Sequence, residues 1–380
     1  MARTPRAVVV TVAALALAGA GRGGAATAAA AQRPGPSPTP VLAYYYIWFN
    51  ASSWNRAKVD YPLLGRYSSD ERSVMERHVR WARQAGLSGF IVSWKSTPVL
   101  NRRLRLLLDV AARQHFRIAI IYQGLDFDRR ARRVGDIRSD LLFLAREFGR
   151  RTPLLFDGRP LVILSGTWEY TPGEVATMTA PVRRRLTVLA SERHPDTYAR
   201  LASSVDGNAY YWSSGDPLTT PGYERKLRQM AGVVHRHGGL WVAPAAAGFE
   251  ARLIGGHMTV PRRGGATLRA SLQAAEGASP DLIGLISWNE FSENSHIEPS
   301  RMYGMRSLHT LADVLGAQPP TVGDLDSSVS SPTGARHAVP LLGGFAVVLL
   351  GGAALLGRRR RATHRTRTSH TTDPDERWVS

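Results

Sequence analysis

The sequence predicts an α/β protein, a (β/α)8 TIM barrel, and three observations carry that prediction. Eight short apolar runs, rich in β-branched and aromatic residues, recur between residues 41 and 316, as strands buried on both faces of a parallel sheet should. Helical patterns fall between these runs, so strand and helix alternate eight times. The stretch that holds them, about 275 residues, is close to the roughly 250 typical of such a barrel.

The expected strands are 41–48, 89–94, 117–122, 160–164, 185–190, 206–211, 239–243 and 282–288. Ser68 and Glu71 read as a capping box ahead of Val74, His78, Trp81 and Ala85 at helical spacing. Leu104, Leu107, Leu108 and Ala111 mark a second helix, and Leu141, Leu144, Ala145 and Phe148 a third. Thr171-Pro172-Gly173-Glu174 is a helix start with proline at the first helical position. Leu227, Met230 and Val234 mark a later helix, followed by Leu268, Leu272 and Ala275, then by Leu308 and Leu311. The fifth repeat is the weakest, with a poor strand and a short helix.

The ends of the chain point to export. Residues 1–31 combine Arg3 and Arg6 with an apolar run from Ala7 to Ala20 and a small-residue tract, the pattern of a secretory signal peptide. A Pro-rich linker, 32–40, precedes the predicted barrel at 41–316, and a Ser/Pro linker follows at 317–337. Residues 338–357 carry no charge and are long enough to span a bilayer. The basic tail 358–380, opening with Arg358-Arg359-Arg360-Arg361, is expected to stay on the cytoplasmic side. The topology is a cell-surface domain on a single-pass anchor.

The formal charge of +19 would suit a nucleic-acid partner, but both ends contribute to it and the remaining basic residues are scattered. A solvated basic surface is the better reading, with no nucleic acid. The chain has no cysteine, which excludes disulfides, thiolate metal sites and a cysteine nucleophile. No calcium loop, phosphate-cradling glycine loop or serine nucleophile elbow is present, so neither metal nor cofactor is expected.

The chemistry concentrates in residues 284–299, where an apolar run ends in Trp288, Asn289, Glu290, Phe291, Ser292 and Glu293. Carboxylates three residues apart in a helical turn would lie roughly 5–6 Å apart on one face. Their mutual repulsion separates their pKa values, so one serves as acid while the other serves as base. Glycosidic bond cleavage needs such a pair. On a barrel the remaining site residues belong at the C-terminal strand ends. Those ends supply Tyr45, Tyr46 and Trp48, then Trp94, Gln123, Tyr211, Trp212 and Glu250, and finally Trp288 and Asn289. Five of the nine tryptophans lie at or just past a strand end, where their rings suit the apolar face of a sugar.

The segment Asn289-Glu290-Phe291-Ser292-Glu293, with Ser295, Ile297 and Glu298, resembles the Asn-Glu-Trp-x-Glu-x-Thr-x-Ile-Glu signature of glycoside hydrolase family 99. That family contains the endo-α-mannosidases and is related to the family 71 α-1,3-glucanases. Tyr44-Tyr45-Tyr46-Ile47-Trp48, Gly86-Leu87-Ser88-Gly89-Phe90 with Trp94, and Ala247-Gly248-Phe249-Glu250 are similar to further family segments. The resemblance implies that Glu290 deprotonates the substrate's own 2-hydroxyl and that Glu293 protonates the leaving group. A 1,2-anhydro sugar would then form, and configuration would be retained. Phe291-Ser292 stands where the family has Trp-His, Asn294 where it has Gly, and Gln123-Gly124 where the mannosidases carry Glu-Pro. These departures leave α-mannan and α-glucan both open as partners. A barrel that binds glycan without cleaving it is the competing expectation, and the two intact glutamates favour the enzyme.

Overall fold

The structure, a computed structural model, describes residues 39–126 and 129–321. The signal peptide, membrane span and tail expected at 1–31, 338–357 and 358–380 lie outside the described residues, as do most of both linkers. Among the described residues no helix is long and apolar enough to cross a membrane.

All eight predicted strands are present and parallel: β1 (Val41–Tyr46), β2 (Gly89–Trp94), β3 (Arg117–Tyr122), β4 (Arg159–Leu164), β5 (Thr187–Leu189), β6 (Gly207–Ala209), β7 (Leu240–Ala246) and β8 (Leu282–Ile286). Each pairs with its neighbours in chain order, and β8 pairs with β1, so the sheet curls on itself. One parallel bridge, Ala190 to Asn208, joins β5 to β6. The Asn208 side chain extends that short pairing: its Oδ1 accepts the Glu192 N–H at 2.8 Å and its Nδ2 donates to the Glu192 carbonyl at 3.0 Å. The fifth repeat is the weakest seam, as its sequence implies.

The helices are α1 (Arg72–Gln84), α2 (Pro98–Arg113), α3 (Val134–Glu147), α4 (Pro172–Thr179), α5 (Pro195–Leu201), α6 (Tyr223–Arg236), α7 (Ala266–Glu276) and α8 (Arg306–Leu315). Thr171 and Glu174 form the reciprocal capping box expected of them. The expected Ser68–Glu71 box is only half made. Glu71 accepts the Ser68 N–H at 2.7 Å, but the Ser68 hydroxyl turns to the Asp70 N–H at 3.1 Å, and α1 begins only at Arg72.

Side chains alternate in and out along each strand, so two cores form. Leu42, Tyr44, Ile91, Ala119, Leu161, Ile163, Leu189, Ala209, Val242 and Ile286 fill the inside of the barrel. Val41, Ala43, Tyr45, Phe90, Val92, Trp94, Ile118, Ile120, Trp241 and Leu285 face outward and pack with the helices. Tyr44 plugs the barrel beneath Tyr211, with ring centroids 4.8 Å apart and edge-to-face. Gly284 makes room for it, since a Cβ there would meet the Tyr44 ring at 3.0 Å.

Candidate active site

The loop after β8 carries both glutamates and is fastened before they are reached. Asn289 is fully buried and behaves as a piece of β-ladder: its Oδ1 accepts the Tyr46 N–H at 2.8 Å and its Nδ2 donates to the Tyr46 carbonyl at 3.0 Å. Nδ2 also reaches the Tyr67 hydroxyl at 3.3 Å. Asn289 therefore ties the loop to the end of β1, and its side chain is not the sugar contact expected of it. Downstream, the Ser287 N–H donates to the Ser295 carbonyl and the Ile297 N–H to the Ser287 carbonyl, each at 2.9 Å, closing the loop on itself.

Glu290 and Glu293 are both buried, at 8% and 4% exposure. Glu290 donates its backbone N–H to the Ser287 hydroxyl, and its carboxylate accepts the Ser292 N–H at 3.0 Å. Burial raises its pKa, and the Ser292 hydrogen bonds and the Lys58 charge offset only part of that rise. Glu293 anchors the neighbouring loop through its carbonyl, which accepts the Glu250 N–H at 2.7 Å. The Tyr46 hydroxyl lies 3.0 Å from that of Tyr211. Burial, then Tyr211 and the charges of Glu293 and Glu290, hold the Tyr46 phenol far above its usual pKa, so Tyr46 is near both glutamates and stays protonated. Tyr46, Tyr211, Glu290 and Glu293 are thus brought together at the mouth of the barrel.

A cleft of about 220 Å³ adjoins them through Tyr46, lined also by Trp48, Lys95, Gln123, Asp126 and Arg129. Trp48 stacks on Tyr46 at 4.4 Å between centroids and stays 37% exposed, so a ring face remains available at the rim. Gln123 donates to the Ser93 hydroxyl at 3.0 Å on the cleft wall. Glu250 borders the motif but its carboxylate is engaged by Arg252.

Four aromatic residues expected at the rim sit elsewhere. Tyr45 and Trp94 have the outward parity of their strands. Tyr45 stacks on Phe90 and bonds His78, and Trp94 donates Nε1 to Asn101 at 3.0 Å. Trp212 lies between Tyr210 and Tyr223, and Trp288 packs against Phe90 and His78. All four belong to the outer core. A strand end sets height on the barrel, and only parity sets direction.

Several residues beyond those expected complete the site. The segment after β1 is stitched across the motif: the Val59 N–H donates to the Phe291 carbonyl at 3.2 Å and the Leu63 N–H to the Pro299 carbonyl at 2.9 Å. This brings Lys58 toward Glu290 and seats Trp54 edge-on against Phe291. Tyr67 donates to Glu298 at 2.8 Å. The other Glu298 oxygen is 3.1 Å from His78 Nε2, without hydrogen-bond alignment. His78 in turn meets the Tyr45 hydroxyl at 3.0 Å. His296, which the motif sequence also includes, is buried against Asp60 at 3.3 Å and stacks on Phe291, so it braces the loop. Among the described residues no cluster of His, Asp and Glu could hold a metal ion.

Known proteins share this fold. Over 269 residues, 63% of this chain, it is 22% identical to a glycoprotein endo-alpha-1,2-mannosidase-like protein of Danio rerio. The match spans 58% of that relative's length. The GH99 endo-alpha-mannosidase structure from Bacteroides thetaiotaomicron superposes with a TM-score of 0.63 at 18% identity, covering 73% of this chain and 95% of that one. Its complex with bis-tris-propane superposes with a TM-score of 0.62 at 19% identity, covering 72% of this chain and 97% of that one. At such identities these likenesses establish the fold. The family model described as Glycosyl hydrolase family 99 matches residues 48–311, most of the described domain, and the chain belongs to that family.

Proposed function

We propose that this protein cleaves an α-linked, mannose- or glucose-containing glycan with retention of configuration, using Glu290 as base and Glu293 as acid. The observation that carries the reading is the convergence of two buried carboxylates on one protonated phenol, Tyr46, beside an aromatic-rimmed cleft. In the first step Glu290 takes the proton of the sugar 2-hydroxyl and that oxygen attacks the anomeric carbon. Glu293 gives its proton to the departing glycosidic oxygen, leaving a 1,2-anhydro sugar. In the second step Glu293, now a carboxylate, takes a proton from water as it attacks the same carbon, and Glu290 returns its proton to the 2-oxygen. Two inversions give net retention. A base with a raised pKa suits the first step, because proton transfer from a hydroxyl needs the stronger base.

The test is the purified protein against α-mannans, α-1,3-glucans and short α-linked oligosaccharides, with Glu290→Gln and Glu293→Gln as controls. Cleavage of one glycan, lost in both variants and giving the retained anomer by proton NMR, supports the reading. Equal activity in either variant sinks the assignment, and binding without cleavage moves the protein to a glycan receptor.

We also propose that the domain is displayed outside the cell on the 338–357 span. Protease treatment of intact cells should remove the barrel and leave the tail, and a barrel that stays protected argues against display.

A further inference from the structure

A second cavity, of about 300 Å³, opens where the loop after β7 meets the starts of α7 and α8. Arg262, Arg263 and Arg306 line it together with Asn294, Tyr303 and Ser307, and no Asp or Glu is among its lining residues. The electrostatics are one-sided. Arg263 is paired, its guanidinium donating to Asp216 at 2.7 Å. Arg262 is only 9% exposed, and its hydrogen-bond partners are neutral. Nη2 donates to the carbonyls of His296 and Asn294 at 2.6 and 2.9 Å, Nε to Asn294 Oδ1 at 3.3 Å, and Nη1 to the Ser307 hydroxyl at 3.2 Å. Asp60 acts on Arg262 through its charge, but that carboxylate is hydrogen-bonded to His296 and to the Met302 N–H. The guanidinium also lies over the Tyr303 ring, 4.2 Å from its centroid, and Tyr303 is a further hydrogen-bond partner, again without a formal charge. Burying a cation without a counter-charge in contact carries a heavy desolvation penalty, and burial does lower the Arg262 pKa to about 10.

The surroundings add positive potential. Neither α7 nor α8 has an acid in its first turn, so both helix dipoles add positive potential here, with the Ala266 and Arg306 N–H groups taken by the Arg263 and Tyr303 carbonyls. Arg306, at the first position of α8, is exposed at the mouth. A buried guanidinium without an ion-pair partner, an exposed one and two helix starts without an acid surround one void, and the component they lack is an anion with several acceptor oxygens.

We propose that this cavity binds a phosphate group, either as the free ion or as a substituent on a sugar. Because Arg262 holds the carbonyls of Asn294 and His296, the bound group would brace the loop immediately after Glu293. The site stands independently of the glycosidase reading, since its test measures binding directly.

The experiment is calorimetric titration and thermal unfolding of the full chain with inorganic phosphate, against chloride at matched ionic strength. Saturable binding with a rise in Tm is expected. Arg306→Gln should weaken phosphate binding roughly tenfold or more while leaving the Tm in chloride unchanged. Ser307→Asp is the sharper variant, because its carboxylate would neutralise Arg262 and suit the start of α8. It should raise the Tm in chloride and abolish the response to phosphate. A hexose 6-phosphate that binds more tightly than phosphate would identify a sugar-borne group, and equal binding would identify the free ion. No phosphate-specific binding by the wild type, or the same binding in Ser307→Asp, overturns the proposal.

Discussion

The hydroxyls of Tyr46 and Tyr211 lie 3.0 Å apart, joining the end of β1 to the residues just past β6 across the mouth of the barrel. Beneath them Tyr211 meets Tyr44 edge-to-face. The pair therefore caps the apolar interior with two polar groups, and both glutamates act on the Tyr46 phenol. A protonated phenol held there donates a hydrogen bond without bringing charge. Tyr46→Phe should lower kcat/KM about 100-fold, the usual cost of removing one preorganised donor. Stability should fall by only about 1 kcal/mol, since the ring keeps its packing. Steady-state kinetics with urea unfolding of the same variant separate the two effects.

Lys58 bears on the charge of Glu290. Its ammonium favours the ionised carboxylate, opposing the burial that favours the protonated one. Lys58→Met should therefore raise the pKa of Glu290 further. On the proposed mechanism the base must be ionised in the free enzyme, so the acid limb of the kcat/KM–pH profile should move to higher pH. An acid limb unchanged in Lys58→Met would mean that Glu290 is not the group it reports.

The positions of the strands are legible in the sequence because each is a short apolar run between helical patterns, and the glutamate pair is legible because its motif is contiguous. The direction of the aromatic residues is a matter of parity. Tyr44 belongs to the inner core and Tyr45 to the outer one, while Tyr46, of the same parity as Tyr44, meets Tyr211 at the mouth, although all three stand together at the end of β1. Trp94 shares the outward parity of Phe90 and Val92, which excludes it from the cleft. Lys58, Tyr67 and Asp60 carry no local signal, because their partners Glu290, Glu298 and His296 lie more than 200 positions away. Such contacts exist only once the segment after β1 is laid across the loop after β8.

Asn289 makes that point in energetic terms. Its amide satisfies both backbone groups of Tyr46, which would otherwise be buried and unpaired. Asn289→Ala should cost about 3 kcal/mol, more than a surface asparagine would. Because Tyr46 loses its anchor, activity should fall along with stability. Denaturant titration gives the first quantity, and activity well below the unfolding midpoint gives the second.

The Tyr67–Glu298–His78–Tyr45 chain predicts coupling. All four side chains are buried, and Glu298 contacts both Tyr67 and His78. Removing the carboxylate in Glu298→Ala should destabilise the fold by about 3 kcal/mol, and removing the hydroxyl in Tyr67→Phe by about 1 kcal/mol. The double variant should lose less than the two combined, because the Tyr67 hydroxyl has lost its acceptor once Glu298 is gone. Strict additivity in urea unfolding would show that the chain does not act as a unit.

His296 gives the fold a distinct pH dependence. Burial, and then the neighbouring Arg262, lower its pKa from 6.5 to about 4, against the opposing pull of Asp60. Between those values the unfolded chain binds a proton that the folded one does not, so acidification favours unfolding. Stability should therefore decline as pH falls from about 6.5 to about 4, by an amount on the order of 3 kcal/mol. Asp60 acts in a separate window. Burial alone would raise its pKa, but hydrogen bonds from His296, Ser300 and the Tyr61 N–H bring it down to about 2, so its contribution is lost only below about 3.8. His296→Gln should flatten the upper window in a series of urea titrations between pH 4 and 7, whatever its effect on absolute stability. A slope that persists in the variant would assign the acid sensitivity of the fold to other groups.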